Sequence, residues 1–188
     1  MLQRLQTLVR TLLALTLVVL LAGPAARAQT QGIELQTLQV QRQDGELALE
    51  FASRVQLSRA VEDALHRGVP VYFTAQATLY RSRWYWRDER VARVGRTWRL
   101  AHQPLTSTWR VGLGAITQTY ASLGEALAAI SRTAGWKLVD VSQVDPDSRH
   151  YLEFSFRLDT SQLPSPMLIG LTGQADWQLG VERTLRVD

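Results

Sequence analysis

The sequence predicts a mainly β fold, an antiparallel β-sandwich-like domain of about eight strands with two short helices. Strand-like segments follow one another through most of the chain and are separated by turn-forming residues. Only two segments change to a helical period. The alternative is an α+β fold, in which one curved antiparallel sheet carries both helices on one face.

The first hairpin is predicted around Asp44-Gly45. Apolar residues recur before this pair, through residues 35–40, and after it, through residues 47–51. Asp-Gly between two such runs is the strongest short-range signal for a hairpin, because both positions of a tight turn require a positive φ.

A short amphipathic helix is predicted over residues 58–67. Leu57, Val61 and Leu65 fall on one helical face, and Gly68 stands where a helix-ending glycine belongs.

A three-stranded antiparallel meander is predicted next. Residues 71–86 form a long aromatic and β-branched strand, Asp88-Glu89 makes a turn, and residues 90–102 return. Pro104 and the Ser/Thr residues after it indicate another reversal before a strand at residues 108–113.

The second helix is predicted to begin at Ser122, because Ser122 and Glu125 have the spacing of a capping box, and to end at Gly135. Strands at residues 136–144 and 151–158 then flank a turn at Asp145-Pro146-Asp147-Ser148, and we expect them to pair as a second hairpin. The run Leu163-Pro164-Ser165-Pro166 interrupts regular structure before the apolar residues 167–171 and a last strand near residues 176–187.

Residues 1–28 are predicted to be a cleavable signal peptide. Arg4 and Arg10 precede an apolar run at residues 12–22, and Ala26-Arg27-Ala28 forms a small-residue cleavage site. The run is shorter than the ~20 residues that a spanning helix needs. We therefore expect a periplasmic protein cleaved near Ala28, with residues 29–188 as a single strand-rich domain. The alternative is an uncleaved signal that anchors the domain at the inner membrane.

Charge and cysteine content exclude several classes of protein. The chain has 21 basic and 17 acidic residues, and the signal segment contributes three of the arginines, which leaves 18 basic against 17 acidic. A nearly neutral domain does not favour nucleic acid as a partner. The chain has no cysteine, so it has no disulfides and no thiol nucleophile.

No motif predicts a catalytic residue, a metal site or a cofactor. No two of the three histidines, His66, His102 and His150, share a predicted element at metal-binding spacing. Asp145 and Asp147 resemble the start of a calcium loop, but Pro146 and Arg149 break its pattern and a solvated turn is the better interpretation. An envelope hydrolase that uses the carboxyl groups of Glu50, Asp140 or Glu153 is a weaker hypothesis.

The most unusual feature is a ribbon of arginine and aromatic residues. Arginines at positions 81, 83, 87, 90, 93, 96 and 99 interleave with Trp84, Tyr85, Trp86 and Trp98. Arginine makes planar contacts to phosphate and carboxylate, and behind an export signal such anions belong to lipids, glycans or acidic protein surfaces. The predicted binding surface comprises Arg81, Arg83, Trp84, Tyr85, Trp86, Arg87 and Arg90.

A purely structural interpretation of this ribbon is the alternative. In it the tryptophans pack inward and the arginines face water, where they pair across strands with acids such as Glu50 or Glu153.

Several of these segments together resemble the proteobacterial domain-of-unknown-function family numbered 4390. The resemblance rests on the helix that runs into Gly68-Val69-Pro70, on Arg83-Trp84-Tyr85-Trp86, on residues 122–136, on Leu163-Pro164 and on Asp176-Trp177-Gln178-Leu179. It implies a small exported protein with no assigned activity, encoded beside a nitrogen-regulation-type sensor kinase. It supplies no functional residues.

The sequence therefore predicts a non-enzymatic periplasmic binding or adaptor module. Its expected partner is an envelope or inner-membrane protein, for which a sensor kinase is one candidate, or an anionic lipid or glycan. The alternative is a carrier that holds a lipid or another amphiphile in an apolar cavity.

Overall fold

Two antiparallel sheets pack face to face in the computed structural model, which describes residues 32–163 and 175–187. One sheet has the order β1-β2-β7, and the other has the order β6-β5-β4-β3-β8-β9. The strands in these residues are β1 (Gly32–Gln43), β2 (Glu46–Gln56), β3 (Val71–Arg81), β4 (Glu89–Gln103), β5 (Thr108–Leu113), β6 (Ile116–Tyr120), β7 (Arg132–Asp140), β8 (His150–Leu158) and β9 (Gly180–Val187). The predicted signal peptide lies outside the described residues, as do Pro164, Ser165, Pro166 and the apolar residues 167–171.

Within residues 32–163 and 175–187, two α-helices, α1 (Arg59–His66) and α2 (Leu123–Ile130), confirm the helical predictions. The Oγ atom of Ser58 accepts a hydrogen bond from the Val61 N–H at 3.2 Å, and that of Ser122 accepts one from the Glu125 N–H at 3.2 Å. The same residues include short 3₁₀ turns at Val141–Gln143, Thr160–Gln162 and Ala175–Trp177. In the described part of the chain, no helix has the length and apolar character to cross a bilayer.

Both helices lie in connections that carry the chain from one sheet to the other. Helix α1 joins β2 to β3, and α2 joins β6 to β7. Helix α1 buries Val61, Ala64 and Leu65, and α2 buries Ala126 and Ile130. The sandwich prediction is therefore confirmed, and the alternative of one curved sheet is wrong because the strands divide into two sheets.

Aromatic side chains from both sheets form the centre of the core. The ring of Phe51, on β2, lies 5.0 Å from Phe154 and 5.5 Å from Phe156, both on β8, and 6.4 Å from Trp98 on β4. Phe51 and Phe156 are 1% and 0% exposed. This contact joins the inner faces of the two sheets.

The predicted hairpin at Asp44-Gly45 is confirmed. Asp44 and Gly45 have φ values of 52° and 79°, so both adopt the left-handed conformation of a type I′ turn. Asparagine, aspartate and glycine tolerate this conformation best, which explains why this pair ends β1 and begins β2.

The predicted hairpin between the strands on either side of Asp145 is wrong. Strand β7 pairs with β2, whereas β8 pairs with β3 and β9 in the other sheet. The turn at residues 145–148 therefore crosses between the sheets. A further strand, β6, was not predicted, although Gly114 at φ 58° marks the turn that precedes it.

Helix α2 ends before Gly135, contrary to the sequence prediction. The Ser131 N–H donates to the Leu127 carbonyl at 2.9 Å, and the Ser131 carbonyl then accepts the Ser53 N–H at 2.9 Å. The helix therefore ends at Ile130, and the chain pairs with β2 from Arg132 onward. Gly135, with φ 60°, lies inside β7 near a shift in its register with β2.

Candidate binding surface

Three consecutive aromatic side chains are exposed in the connection between β3 and β4. Trp84 is 93% exposed, Tyr85 is 69% exposed and Trp86 is 73% exposed. We call residues 82–88 the aromatic loop. Large apolar side chains normally avoid such exposure when they are adjacent in one patch, so this loop is the most distinctive part of the described surface.

The predicted strand through Trp86 ends at Arg81. Arg81 lies opposite Glu89 on β4 and opposite His150 on β8, and these are the first residues of those strands. Beyond this point the Ser82 N–H still donates to the Arg149 carbonyl at 2.8 Å, and the chain then leaves the sheet. Trp84 and Trp86 consequently do not alternate with arginines on a strand, and the interpretation that they pack inward is wrong.

The carboxylate of Asp88 holds the two ends of the aromatic loop together. Its Oδ1 atom accepts the Arg83 N–H at 3.0 Å, and its Oδ2 atom accepts the Tyr151 hydroxyl at 2.7 Å. Tyr151 lies on β8 and stacks on Tyr80 of β3, with ring centroids 5.2 Å apart. The loop is therefore fastened to the six-stranded sheet.

These contacts shift the pKa values of both partners. The Arg83 N–H, followed by the Tyr151 hydroxyl, lowers the pKa of Asp88 below its usual 3.8. Burial, followed by the hydrogen bond to Asp88, raises the pKa of Tyr151 to about 12. Both shifts favour the pair of an ionised carboxylate and a protonated phenol at neutral pH.

Glu89 forms ion pairs with two of the predicted surface arginines, Arg81 and Arg83. The hydrogen bond from Arg81 lowers the pKa of Glu89 below its usual 4.5. The prediction that such arginines pair with Glu50 or Glu153 is wrong, because the partner is the residue that follows the loop. Arg81 and Arg83 thus act mainly within the molecule.

The other five arginines do not continue as one basic ribbon. Arg87 is exposed in the aromatic loop, and three more lie exposed on the outer face of β4: Arg90, Arg93 and Arg99. Arg96 points the other way, and its guanidinium carbon lies 4.9 Å from the ring centroid of Trp136. The ribbon predicted from sequence therefore divides between the loop, the outer face and the core side of the sheet.

Acid is expected to weaken the hydrogen bonds that the Asp88 carboxylate accepts from the Arg83 N–H and the Tyr151 hydroxyl. We call these hydrogen bonds, and the ion pairs of Glu89, the braces of the loop. A carboxyl whose pKa is lowered by folding contributes stability above its unfolded pKa, and loses it as the pH falls through the folded value. For Asp88 that loss lies below pH 3.8. The backbone amide of Arg83, followed by NMR, should therefore titrate with a midpoint below 3.8. A midpoint at 3.8 or above would contradict the hydrogen bond, and Asp88→Asn should abolish the titration.

A family model described as "Domain of unknown function (DUF4390)" matches residues 30–186. The chain belongs to the DUF4390 family. This match confirms the resemblance that the sequence patterns suggested, and its description gives no activity. No curated protein and no solved structure matches the chain.

Two histidines of this DUF4390 domain meet although they are distant in sequence. The ring of His66 on α1 lies 5.1 Å from that of His102 on β4, and both rings contact Trp109 on β5 at 5.4 and 4.5 Å. Periodicity on single elements gave no signal for this cluster. Within the described residues, no three metal-ligating side chains come together.

The predicted turn at residues 145–148 is confirmed in the DUF4390 domain. The Asp145 carboxylate accepts the Asp147 N–H at 3.1 Å and the Ser148 hydroxyl at 2.7 Å. The Ser148 hydrogen bond is the main reason that the pKa of Asp145 is lowered. These two hydrogen bonds close the turn.

The three carboxyl groups considered for hydrolysis do not form a pair. Glu50 accepts the Gln39 side-chain amide at 3.0 Å, and Asp140 accepts the Lys137 ammonium at 2.9 Å. Glu153 lies beside Glu182 on the outer face of the six-stranded sheet, whereas Glu50 belongs to the other sheet. This arrangement gives no support to the hydrolase hypothesis.

Proposed function

We propose that this DUF4390 domain is a non-enzymatic binding module of the periplasm, and that its aromatic loop contacts an acidic surface of an envelope or inner-membrane protein. The observation that carries this proposal is the exposure of three adjacent aromatic side chains on a loop that is held in place. The periplasmic location rests on the signal-like pattern of residues 1–28.

The composition of the aromatic loop is that of a binding hot spot. Tryptophan, tyrosine and arginine dominate the residues whose truncation costs most binding energy. Trp84, Tyr85 and Trp86 supply the aromatic area, and Arg87 adds an exposed cation beside them. Such a group, buried in a pocket of a partner, would be the centre of an interface.

The braces at Asp88 and Glu89 favour binding because they fix the loop before a partner arrives. A disordered loop must lose conformational freedom on association, at about 0.5–1.5 kcal/mol for each immobilised side chain. Here the Arg83 N–H, the Tyr151 hydroxyl and two guanidinium groups already restrain the backbone. More of the contact energy would remain for affinity.

The charge distribution favours a protein over an anionic membrane. Lipid-binding segments typically carry clusters of 4–8 basic residues. The carboxylates of Asp88 and Glu89 lie among the exposed arginines around the aromatic loop, which are Arg87, Arg90, Arg149 and Arg186. An anionic membrane would repel these carboxylates, whereas a protein surface can present charges of both signs to match them. The resemblance makes a sensor kinase the first partner to test.

Photocrosslinking in cells tests this proposal. A photoreactive phenylalanine at position 85 should give one discrete protein adduct, and Trp84→Ala with Trp86→Ala should remove it. With the adduct protein purified, each single alanine variant should weaken binding roughly 30-fold, the effect of losing about 2 kcal/mol at a hot spot. Calorimetric titration measures this change.

Leu105 offers a matched control position. It is 97% exposed and lies beyond the other end of β4, whose 15 residues span about 50 Å. A probe there should not give the same adduct. The proposal is wrong if both positions capture the same protein, if the adduct survives the double variant, or if the probe at position 85 labels only lipid or nothing.

A further inference from the structure

A cleft of about 350 Å³ opens between the inner face of β4, β5 and β6 and the facing residues of α2 and β7. Its floor is apolar: Trp98 is 4% exposed and Val111 is 6% exposed, and Leu113 lies beside them. At its mouth Ile116 is 66% exposed on the edge strand β6. We call this space the lateral cleft.

The lateral cleft exists because the two sheets differ in width. The six-stranded sheet extends to β5 and β6, whereas the opposite sheet has only three strands. Across from β6, the lining includes the small side chains of Ala129 and Ala134. The inner face of the outermost strands is therefore left open at the side of the core.

Two arginines, Arg96 and Arg132, line the same cleft. Arg96 lies partly buried over Trp136, and burial lowers its pKa. Among the described residues, the ion pairs do not include a carboxylate partner for either arginine. Arg96 is partly buried and Arg132 is exposed, so both guanidinium groups can meet a ligand that enters from solvent. An anion with its own apolar surface would pair with them and cover the apolar floor.

We propose that the lateral cleft binds a single-chain anionic amphiphile, a fatty acid with its carboxylate at Arg96 and Arg132 and its acyl chain along Trp98, Val111 and Leu113. The volume lies at the lower end of the ~300–1,000 Å³ of ligand pockets, which suits one acyl chain and is too small for two. This site is separate from the aromatic loop and goes beyond the function proposed above.

Laurate binding to the purified, delipidated protein tests this inference. Tryptophan fluorescence should change on titration with laurate, because Trp98 forms part of the floor. Affinity should rise about two- to fourfold for each methylene from octanoate to laurate, as buried apolar surface grows. Dodecanol, which has the same chain length without the charge, should bind at least tenfold more weakly.

Arg96→Gln and Arg132→Gln should each weaken laurate binding about tenfold or more. Arg93→Gln is the matched control, because Arg93 lies on the same strand as Arg96 but faces outward; it should change binding less than twofold. Trp84→Ala with Trp86→Ala should leave laurate binding unchanged, so this inference and the proposed function can fail separately.

Several results would overturn the inference. If laurate and dodecanol bind with equal affinity, the charge of the carboxylate has no role in binding. If laurate does not bind below its micelle concentration, the cleft is not a fatty-acid site. Equal effects of Arg93→Gln and Arg96→Gln would place the anion elsewhere. If Arg96→Gln lowers the melting temperature, the comparison of laurate with dodecanol in the unaltered protein decides the question.

Discussion

Leu100→Glu is expected to leave the protein largely unfolded at neutral pH, whereas Arg99→Glu leaves it folded. The two positions are neighbours on β4, but Leu100 is fully buried in the core and Arg99 is exposed on the outer face. An unpaired carboxylate in an apolar core costs several kcal/mol, a large part of the 5–15 kcal/mol that stabilise a typical domain. Circular dichroism and thermal melting measure the difference.

The loss in the free energy of unfolding caused by Leu100→Glu, which we call its deficit, should increase as the pH rises. Burial raises the pKa of a carboxyl group, so the folded variant holds its proton to a higher pH than the unfolded chain does. The deficit relative to the parent protein is therefore smallest below the unfolded pKa of about 4.3 and grows as the pH rises through the folded pKa. A deficit of Leu100→Glu that is the same at pH 4 and pH 8 would contradict the burial of Leu100. The same conclusion would follow if Arg99→Glu were as unstable as Leu100→Glu.

Phe51→Ala is expected to lower the free energy of unfolding by about 3–5 kcal/mol, the range for removal of a buried aromatic ring. Phe51 is 1% exposed and contacts aromatic rings of β4 and β8 across the core. The surrounding rings lie on β4 and β8, where the pairing of the six-stranded sheet holds them, and they cannot collapse fully into the cavity. Urea denaturation measures this loss.

Trp84→Ala is the control for Phe51→Ala. It removes a larger aromatic side chain that is 93% exposed, and its effect on stability should stay within about 0.5 kcal/mol. A loss below about 1 kcal/mol for Phe51→Ala would mean that the two sheets do not share a rigid core. A large loss for Trp84→Ala would mean that the aromatic loop packs on the domain.

Local chemistry made much of the fold predictable from the sequence. Neighbours within a few positions decide several features: the Asp44-Gly45 turn, the Ser58 and Ser122 caps and the alternation of residues 151–158. Strand pairing was less predictable. The partner of β7 is β2, and paired residues are 80 to 94 positions apart, from Ala52 with Arg132 to Glu46 with Asp140. No local pattern distinguishes this pairing from a hairpin with β8.

The candidate binding surface shows the same limit. Its composition was visible in the sequence, but alternation around Trp84 and Trp86 suggested a strand because the sequence does not reveal that β8 begins opposite Arg81. The aromatic side chains are exposed because the strand pairing ends there, after the hydrogen bond from the Ser82 N–H to the Arg149 carbonyl. The lateral cleft depends on the unequal widths of the two sheets, which requires the whole strand order.

The pairing of β2 with β7 also affects the order in which the chain folds. The β1–β2 hairpin is local and can form in about 1–10 μs. The three-stranded sheet is complete only when β7 has paired with β2, which brings Asp140 opposite Glu46 and Thr133 opposite Phe51. Such distant pairing slows folding. During that interval the apolar face of the first hairpin remains uncovered, so the nascent chain passes through a period of exposure to aggregation that the finished sandwich does not have.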